Sequence, residues 1–153
     1  MRIVLVTGGF DPLHSGHIAY FKAAKKLGNQ LIVGLNSDEW LTRKKGRPFM
    51  SWNERAAIIN ELGCVDDVIE FNDNDNTACN AIEKLVDSFP NDTVVFANGG
   101  DRHSGSTPET QFAEKLSERG NIEFVFSVGG EDKKNSSSWI LKEWSQPTTQ
   151  RAW

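Results

Sequence analysis

Two histidines stand three residues apart in the segment His14-Ser15-Gly16-His17. A short apolar, β-branched run precedes them and a helical hydrophobic pattern follows, so the pair lies where a strand gives way to a helix. The N-terminus of a helix favours an anion, and imidazole N–H groups can donate to phosphate oxygens. This spacing predicts a phosphate-binding site at the start of the helix.

Glycines accompany the two histidines. Gly16 lies between them, and Gly8-Gly9 ends the preceding strand. Because glycine has no Cβ, it lets a ligand approach the backbone closely. The chain has neither a Gly-x-Gly-x-x-Gly fingerprint after this strand nor a Walker phosphate loop, so a dinucleotide-binding or P-loop site is not expected.

Zinc is the alternative ligand of the same pair, because His-x-x-His resembles half of a metal site. A third strong ligand is missing, since the only other histidine, His103, lies far along the chain. The surroundings of Cys64 and Cys79 are typical of buried, reduced thiols rather than of metal ligands. We therefore favour phosphate binding and keep zinc as the alternative.

The hydrophobic pattern predicts five strands alternating with helices. Strands are expected at 3–6, 31–35, 65–71, 93–97 and 122–126, and helices at 17–27, 51–62, 78–89, 108–119 and 136–144, with a short helical piece beginning at Asp38. This alternation predicts an α/β fold, a Rossmann-like doubly wound three-layer sandwich with a five-stranded parallel sheet. The order of the strands within the sheet is not predicted.

Polar and basic segments follow four of the predicted strands, where such sheets bind ligands beyond the carboxyl ends. The segments are Gly8 to His17, Asp38 with Arg43-Lys44-Lys45-Gly46-Arg47, Gly99-Gly100-Asp101-Arg102, and Lys133 to Ser138. Their convergence predicts one phosphate-binding edge. Taken alone, the basic run would be a solvated loop, and the serines at 136–138 would only cap the last helix.

Composition excludes several classes of function. The 153 residues fit one domain, and the net charge of −4 argues against broad nucleic-acid or membrane-surface binding. No apolar run reaches the roughly 18 residues that a bilayer span requires. The start of the chain lacks the features of a signal peptide, so a cytoplasmic location is expected.

The segment from Gly9 to His17 resembles the signature of the cytidylyltransferase-like nucleotidyltransferase superfamily, whose members carry a His-x-Gly-His motif. Arg47-Pro48-Phe49, Glu54-Arg55, Val65-Asp66 and Gly99-Gly100-Asp101 fall where these enzymes have similar segments. The resemblance covers residues 1 to about 144. Glycerol-3-phosphate cytidylyltransferases and the nucleotidyltransferase domain of ADP-heptose synthases are the most similar members.

The resemblance implies transfer of a nucleoside monophosphate from a nucleoside triphosphate to a small phosphorylated acceptor, with release of pyrophosphate. It implies that His14, His17 and Lys44 are catalytic, with Lys45 or Arg47 as alternates to Lys44, and that Mg²⁺ bridges the phosphates. The implied nucleotide- and phosphate-binding residues are Gly8, Gly9, Phe10, Arg55, Gly99, Asp101, Ser136, Ser137 and Ser138. Asp11 and Asp38 are implied on the acceptor side, and Asp11 and Asp101 could also organise Mg²⁺.

CTP is the favoured donor, with glycerol 3-phosphate or a sugar phosphate as acceptor. One departure leaves the base open: Gly129 to Lys134 replaces the Arg-Thr-Glu-Gly segment that precedes the second signature of the cytidylyltransferases. The alternatives are an adenylyltransferase that uses ATP on a sugar phosphate and a non-catalytic nucleotide-binding regulator. The transferase domain is expected over residues 1–144, with 145–153 as a tail or linker, and the resemblance suggests a homodimer.

Overall fold

The computed structural model describes residues 1–99, 107–116, 118–129 and 136–146. Its elements are β1 (Arg2–Gly8), α1 (Ser15–Lys25), β2 (Gln30–Leu35), α2 (Asp38–Lys45), α3 (Trp52–Asn60), β3 (Asp67–Glu70), α4 (Cys79–Ser88), β4 (Thr93–Gly99), α5 (Pro108–Leu116), β5 (Asn121–Val128) and α6 (Ser137–Ser145). Strands and helices alternate as the hydrophobic pattern predicts. No helix in the described ranges is long and apolar enough to cross a membrane.

The five strands form one parallel sheet in the order β3-β2-β1-β4-β5. The predicted Rossmann-like α/β sandwich is therefore confirmed. The chain runs outward from β1 to β3 on one side and then returns to place β4 on the other side of β1. The loops that follow β1 and β4 consequently diverge from each other at the carboxyl ends of these two strands. Doubly wound sheets bind ligands at this place.

Helices cover both faces of the sheet, because successive side chains of a strand point to opposite faces. Val4 of β1 belongs to the apolar cluster that contains Phe21 of α1 and Ile59 of α3. Its neighbour Ile3 belongs to the cluster that contains Ile82 of α4. Burial on both faces explains why β1, β2 and β4 are continuous apolar runs rather than alternating ones.

The basic run is helical, which corrects its prediction as a loop. Helix α2 begins after the N-cap Ser37 and includes the whole of Arg43-Lys44-Lys45. Cations in the last turn of a helix interact favourably with its dipole. The helix ends at Gly46, whose φ of 95° suits glycine better than any other residue.

Candidate active site at the carboxyl edge of the sheet

The histidine pair lies at the N-terminus of α1, directly after the loop that follows β1. Helix α1 begins at Ser15, two residues earlier than the pattern predicts, so His14 is the N-cap and His17 lies in the first turn. The Nδ1 atom of His14 accepts the Gly16 N–H at 3.1 Å. The Nδ1 atom of His17 accepts the His14 N–H at 3.2 Å, which makes the cap reciprocal.

These two hydrogen bonds determine which ring nitrogen carries the proton. Since each Nδ1 accepts a hydrogen bond, each neutral imidazole carries its proton on Nε2 and can donate from that atom. The rings of His14 and His17 stack with their centroids 3.7 Å apart. The pair therefore places two Nε2–H donors beside the helix N-terminus, where the sequence predicts phosphate.

His17 is neutral at physiological pH. Burial, and to a smaller extent the neighbouring His14, lowers the pKa of His17 from its ordinary 6.5 to about 3. The edge of its ring meets the buried ring of Phe10 at a centroid distance of 4.9 Å. His17 can thus act as a hydrogen-bond donor, but not as a proton-carrying acid, near neutral pH.

Gly8 and Gly9 lie close against neighbouring side chains. A Cβ at Gly8 would lie 2.8 Å from the ring of Phe10, and one at Gly9 would lie 2.8 Å from Cδ2 of Leu41. Phe10 itself has a φ of 48°, an uncommon value for a residue with a side chain. The loop after β1 therefore packs closely against the side chains of Phe10 and Leu41. This packing holds the start of α1 against the sheet.

Arg55 lies beneath the site and binds the protein itself. Its side chain is almost completely buried, with a residue exposure of 1%. The guanidinium donates to the carbonyl oxygens of Gly9 (2.9 Å), Asn36 (2.9 Å) and Met50 (3.0 Å) and to the carboxylate of Asp38 (2.7 Å). Four of its five N–H donors are thereby used by the protein, and the contact with phosphate stays a prediction.

Asp11 has a comparable internal role. It is 2% exposed, and its carboxylate accepts the backbone N–H groups of Phe49 at 2.6 Å and Met50 at 2.8 Å. The Nζ atom of Lys45 lies 3.0 Å from the same carboxylate and also donates to the Asp11 carbonyl oxygen. Asp11 thus fastens the segment after α2 to the loop that carries the histidines.

The three basic residues of α2 have different surroundings. Arg43 donates to the Asp73 carbonyl oxygen at 2.8 Å and to Asn76, whereas Lys45 binds Asp11. Lys44 is exposed, with its Nζ atom 4.7 Å from the ring centroid of Trp40. Of the cations implied for catalysis, Lys44 and Arg47 are exposed, whereas Lys45 is bound in a structural contact.

The serine segment meets the histidine loop, as predicted. Ser136 caps α6 by accepting the Trp139 N–H at 3.0 Å. The Ser137 hydroxyl donates to the Pro12 carbonyl oxygen at 2.7 Å. Ser138 is exposed. The N-terminus of α6 consequently lies beside the loop after β1, although the two segments are more than 120 residues apart in the chain.

Gly99 ends β4, the strand that lies beside β1 on the side opposite to β2. A Cβ there would lie 2.9 Å from the ring of Tyr20, whose hydroxyl donates to the Ala97 carbonyl oxygen. Helix α1 is thereby attached to β4 as well as to β1. The predicted residue Asp101 and the alternative ligand His103 lie outside the described residues.

The described residues do not provide a direct protein site for a metal ion. Within them, no group of three or more His, Cys, Asp or Glu side chains is placed to hold one. The carboxylate of Asp11 is occupied by Lys45 and two N–H groups, and Asp38 is paired with Arg55.

Asp73 is the main polar residue that the sequence analysis missed. It is 2% exposed, and its carboxylate accepts from Asn36 Nδ2 (3.0 Å), Ser37 N–H (2.8 Å) and Ser37 Oγ (2.7 Å). Burial raises the pKa of Asp73, but these hydrogen bonds and the charge of Arg43 bring it below its ordinary value. Nothing in the polar run 72–77 distinguishes this aspartate from Asp75, so no sequence signal identifies it.

The sequence model of the cytidylyltransferase-like family matches residues 5–145. The chain therefore belongs to this family of nucleotidyltransferases, as the histidine segment predicts. It is 38% identical over 148 residues to the bifunctional protein HldE of Syntrophotalea carbinolica, a match that covers 94% of this chain and 28% of that protein. It is 35% identical over 147 residues to HldE of Geobacter sulfurreducens, a match that covers 95% of this chain and 28% of that protein.

A solved structure is similar over most of its length. The crystal structure of a lipopolysaccharide core biosynthesis protein from Thermoplasma volcanium GSS1 has a TM-score of 0.64 at 29% identity, covering 83% of this chain and 96% of that chain. The present chain spans less than a third of the length of the HldE relatives, since each match covers 28% of the relative. The comparisons thus concern one domain of those longer proteins.

Proposed function

We propose that this chain transfers an adenylyl group from ATP to the phosphate of a sugar phosphate and releases pyrophosphate. The observation that carries the transfer chemistry is the stacked pair His14 and His17, with both Nδ1 atoms occupied by backbone N–H groups. Such a pair can donate from Nε2 to phosphate oxygens. The pair also lies at the switch point of the sheet, where ligands of this fold bind.

The choice of ATP rests on the relatives. HldE proteins, which are ADP-heptose synthases, match 94% and 95% of the chain. The histidine segment by itself favours CTP, and it also resembles the nucleotidyltransferase domain of ADP-heptose synthases. The similar lipopolysaccharide core protein also fits an acceptor of the sugar class. Cytidylyl transfer to glycerol 3-phosphate is the second candidate, favoured by the histidine signature and the family description.

The proposed reaction is a single in-line displacement. An oxygen of the acceptor phosphate forms a bond to the α-phosphorus of ATP as the bond from that phosphorus to the bridging oxygen breaks, and the electron pair leaves with pyrophosphate. Because the attacking oxygen is already an anion, no general base is needed. Positioning and charge neutralisation therefore account for catalysis.

Residues of three helices bind the phosphates in the proposed reaction. In the proposal, His14 and His17 bind the triphosphate from Nε2 as charge develops, and Lys44 neutralises phosphate charge from the end of α2. Ser136, Ser137 and Ser138 lie at the N-terminus of α6, where hydroxyl and backbone donors can bind the β- and γ-phosphates. Gly8, Gly9, Phe10, Gly99 and Asp101 remain proposed nucleotide contacts, Arg55 a proposed phosphate contact, and Asp11 and Asp38 proposed acceptor contacts.

Pyrophosphate release measured with ATP and with CTP tests this function. The acceptor panel should contain sugar phosphates and glycerol 3-phosphate, each with Mg²⁺ and with a chelator in its place. We expect the highest kcat/KM with ATP, a sugar phosphate and Mg²⁺. His14→Ala should abolish the signal, whereas Lys26→Ala, at the exposed far end of α1, should leave it unchanged.

Two other results would replace the proposal. Preference for CTP and glycerol 3-phosphate would assign the second candidate. Tight binding of a triphosphate without pyrophosphate release on any acceptor would indicate a nucleotide-binding regulator. The proposed homodimer is tested separately by light scattering, which should give twice the mass of the chain.

A further inference from the structure

We infer that Asp73 is a positioning residue for the transferase reaction: it fixes α2 at both ends and thereby holds Lys44 at the phosphate site. The inference rests on the proposed function, in which Lys44 neutralises phosphate charge. Asp73 belongs to the segment between β3 and α4, outside every motif of the family resemblance. It acts through the protein and is not placed in contact with a substrate.

Helix α2 has little apolar contact to hold it. Of its eight residues, Leu41 is the one that is buried. A helix this short has little stability of its own, and a single apolar side chain does not fix the orientation of the helix about its axis. Polar contacts must therefore set the direction in which the exposed side chain of Lys44 extends. Asp38 is paired with Arg55 and Lys45 with Asp11, and the remaining polar contacts of α2 with other segments, among the described residues, are made with Asp73 and its loop.

The first polar contact is at the N-terminus of α2. Ser37 is the N-cap, and its hydroxyl accepts the Trp40 N–H at 3.0 Å. The same hydroxyl donates to Asp73 Oδ1 at 2.7 Å, and the Ser37 N–H donates to Asp73 Oδ2 at 2.8 Å. Asp73 therefore holds both the side chain and the backbone of the capping residue. Asn36, one residue earlier, donates to the same carboxylate.

The second contact is at the C-terminal end of α2. Arg43 donates from Nη2 to the Asp73 carbonyl oxygen at 2.8 Å and to Asn76 Oδ1 at 3.0 Å. The side chain of Asp73 thus binds the start of the helix, and its backbone binds the last turn. Lys44 directly follows Arg43, so it lies in the turn that this second contact fixes.

The distance along the helix explains why the first contact matters for Lys44. With a rise of about 1.5 Å per residue, Lys44 lies roughly 10 Å along the axis from Ser37. When the N-cap contact is lost, Arg43 and Lys45 still attach the last turn, so α2 tilts about that turn and changes the direction in which Lys44 extends. Misplacement of a phosphate-binding group by about 1 Å can lower a rate by about a hundredfold.

A double-mutant cycle with Lys44→Ala tests the inference. Asp73→Asn is nearly isosteric, but it removes the negative charge and puts an NH₂ donor in place of one acceptor oxygen, either Oδ2, which accepts from Asn36 and the Ser37 N–H, or Oδ1, which accepts from the Ser37 hydroxyl. In the otherwise unchanged chain, we expect it to lower kcat/KM for the triphosphate by about ten- to a hundredfold. In the Lys44→Ala chain, the same substitution should change kcat/KM by no more than about twofold.

Asp75→Asn is the matched control. Asp75 lies two residues further along the same segment, is exposed, and binds only Thr77 among the described residues. The substitution makes the same chemical change without touching α2, so kcat/KM should stay within about twofold of the original value. Circular dichroism at the assay temperature establishes that each variant is folded.

The outcomes separate this inference from the proposed function. If Lys44→Ala leaves kcat/KM unchanged, the proposed role of Lys44 is wrong and the inference falls with it. If Lys44→Ala lowers kcat/KM but Asp73→Asn has the same effect with and without Lys44, the inference alone is wrong. If Asp73→Asn does not fold, Arg43→Ala replaces it, since Arg43 is exposed. A loss that disappears in the Lys44→Ala chain supports the inference, and no loss overturns it.

Discussion

The imidazole rings of His14 and His17 stack 3.7 Å apart while the Nδ1 atom of His17 accepts the backbone N–H of His14. The same two residues thus form the helix cap and the candidate phosphate donors. Two positive charges at this separation would repel each other strongly. The arrangement is therefore suited to a pair in which at least one ring is neutral, in agreement with the low pKa of His17.

His17→Ala should affect both rate and stability. Loss of one preorganised donor to the developing charge should lower kcat by about 10²- to 10³-fold. Loss of the reciprocal cap should reduce the free energy of unfolding by about 1 kcal/mol. Steady-state kinetics and urea unfolding measure the two effects. A normal kcat in a folded His17→Ala chain would rule out the catalytic assignment.

The low pKa of His17 predicts a specific dependence of stability on pH. As pH falls below 6.5, the unfolded chain binds a proton at this residue before the folded chain does. Stability should therefore fall from about pH 6.5 towards pH 3, by at most about 1.4 kcal/mol per pH unit for this group. Urea unfolding at several pH values, compared with His17→Gln, isolates the contribution. Equal pH dependence in both proteins would contradict the prediction.

Much of the fold could be predicted because its signals are local. The apolar run at 3–6 and the helical spacing after His17 reflect burial on both faces of the sheet and on one side of a helix. The positions of Gly8 and Ser137 at one edge then follow from the rule that parallel strands share a direction. Strand order does not follow, since it depends on contacts between elements that are far apart in sequence.

The internal roles of charged residues could not be predicted. Arg55 lies in a helix that follows a basic segment, and from sequence it is equivalent to any phosphate-binding arginine. Its burial depends on three carbonyl oxygens from three separate loops, at Gly9, Asn36 and Met50. Only the folded arrangement shows that an arginine is needed there to satisfy them.

Arg55→Lys should therefore destabilise the protein rather than only weaken ligand binding. A lysine keeps the charge but cannot reach three carbonyl groups and Asp38 with one ammonium group. Breaking this buried network should lower the free energy of unfolding by about 3–5 kcal/mol. Chemical unfolding measures the loss, with Arg47→Lys, at an exposed position, as the control. Unchanged stability together with weaker triphosphate binding would contradict the structural role and support the phosphate contact that the sequence predicts for Arg55.

Lys44 and Lys45 should respond in opposite ways to the same substitution. Lys44→Ala should raise the KM for the triphosphate or lower kcat, with a change in unfolding free energy of less than about 0.5 kcal/mol. Lys45→Ala leaves the buried carboxylate of Asp11 without its ion pair, so it should cost about 1–3 kcal/mol of stability. Parallel kinetics and unfolding on the two variants check both expectations. Similar results for the two variants would mean that Lys44 and Lys45 do not differ in role as expected here.

Ser137 and Ser138 form a second matched pair, which tests the contact between α6 and the histidine loop. The Ser137 hydroxyl donates to the Pro12 carbonyl oxygen, whereas Ser138 is exposed. Ser137→Ala removes the hydrogen bond and should lower the free energy of unfolding by about 1 kcal/mol, while Ser138→Ala should change it by less than about 0.5 kcal/mol.

The kinetics of the same two serine variants separate attachment of α6 from phosphate binding. If the serines bind the β- and γ-phosphates, both variants should raise the KM for the triphosphate, and Ser138→Ala should do so without loss of stability. If only Ser137→Ala changes KM, the hydroxyl at this position acts through Pro12 and the loop that carries His14. A normal KM in both variants would remove the serine segment from the proposed site and leave the helix cap as its role.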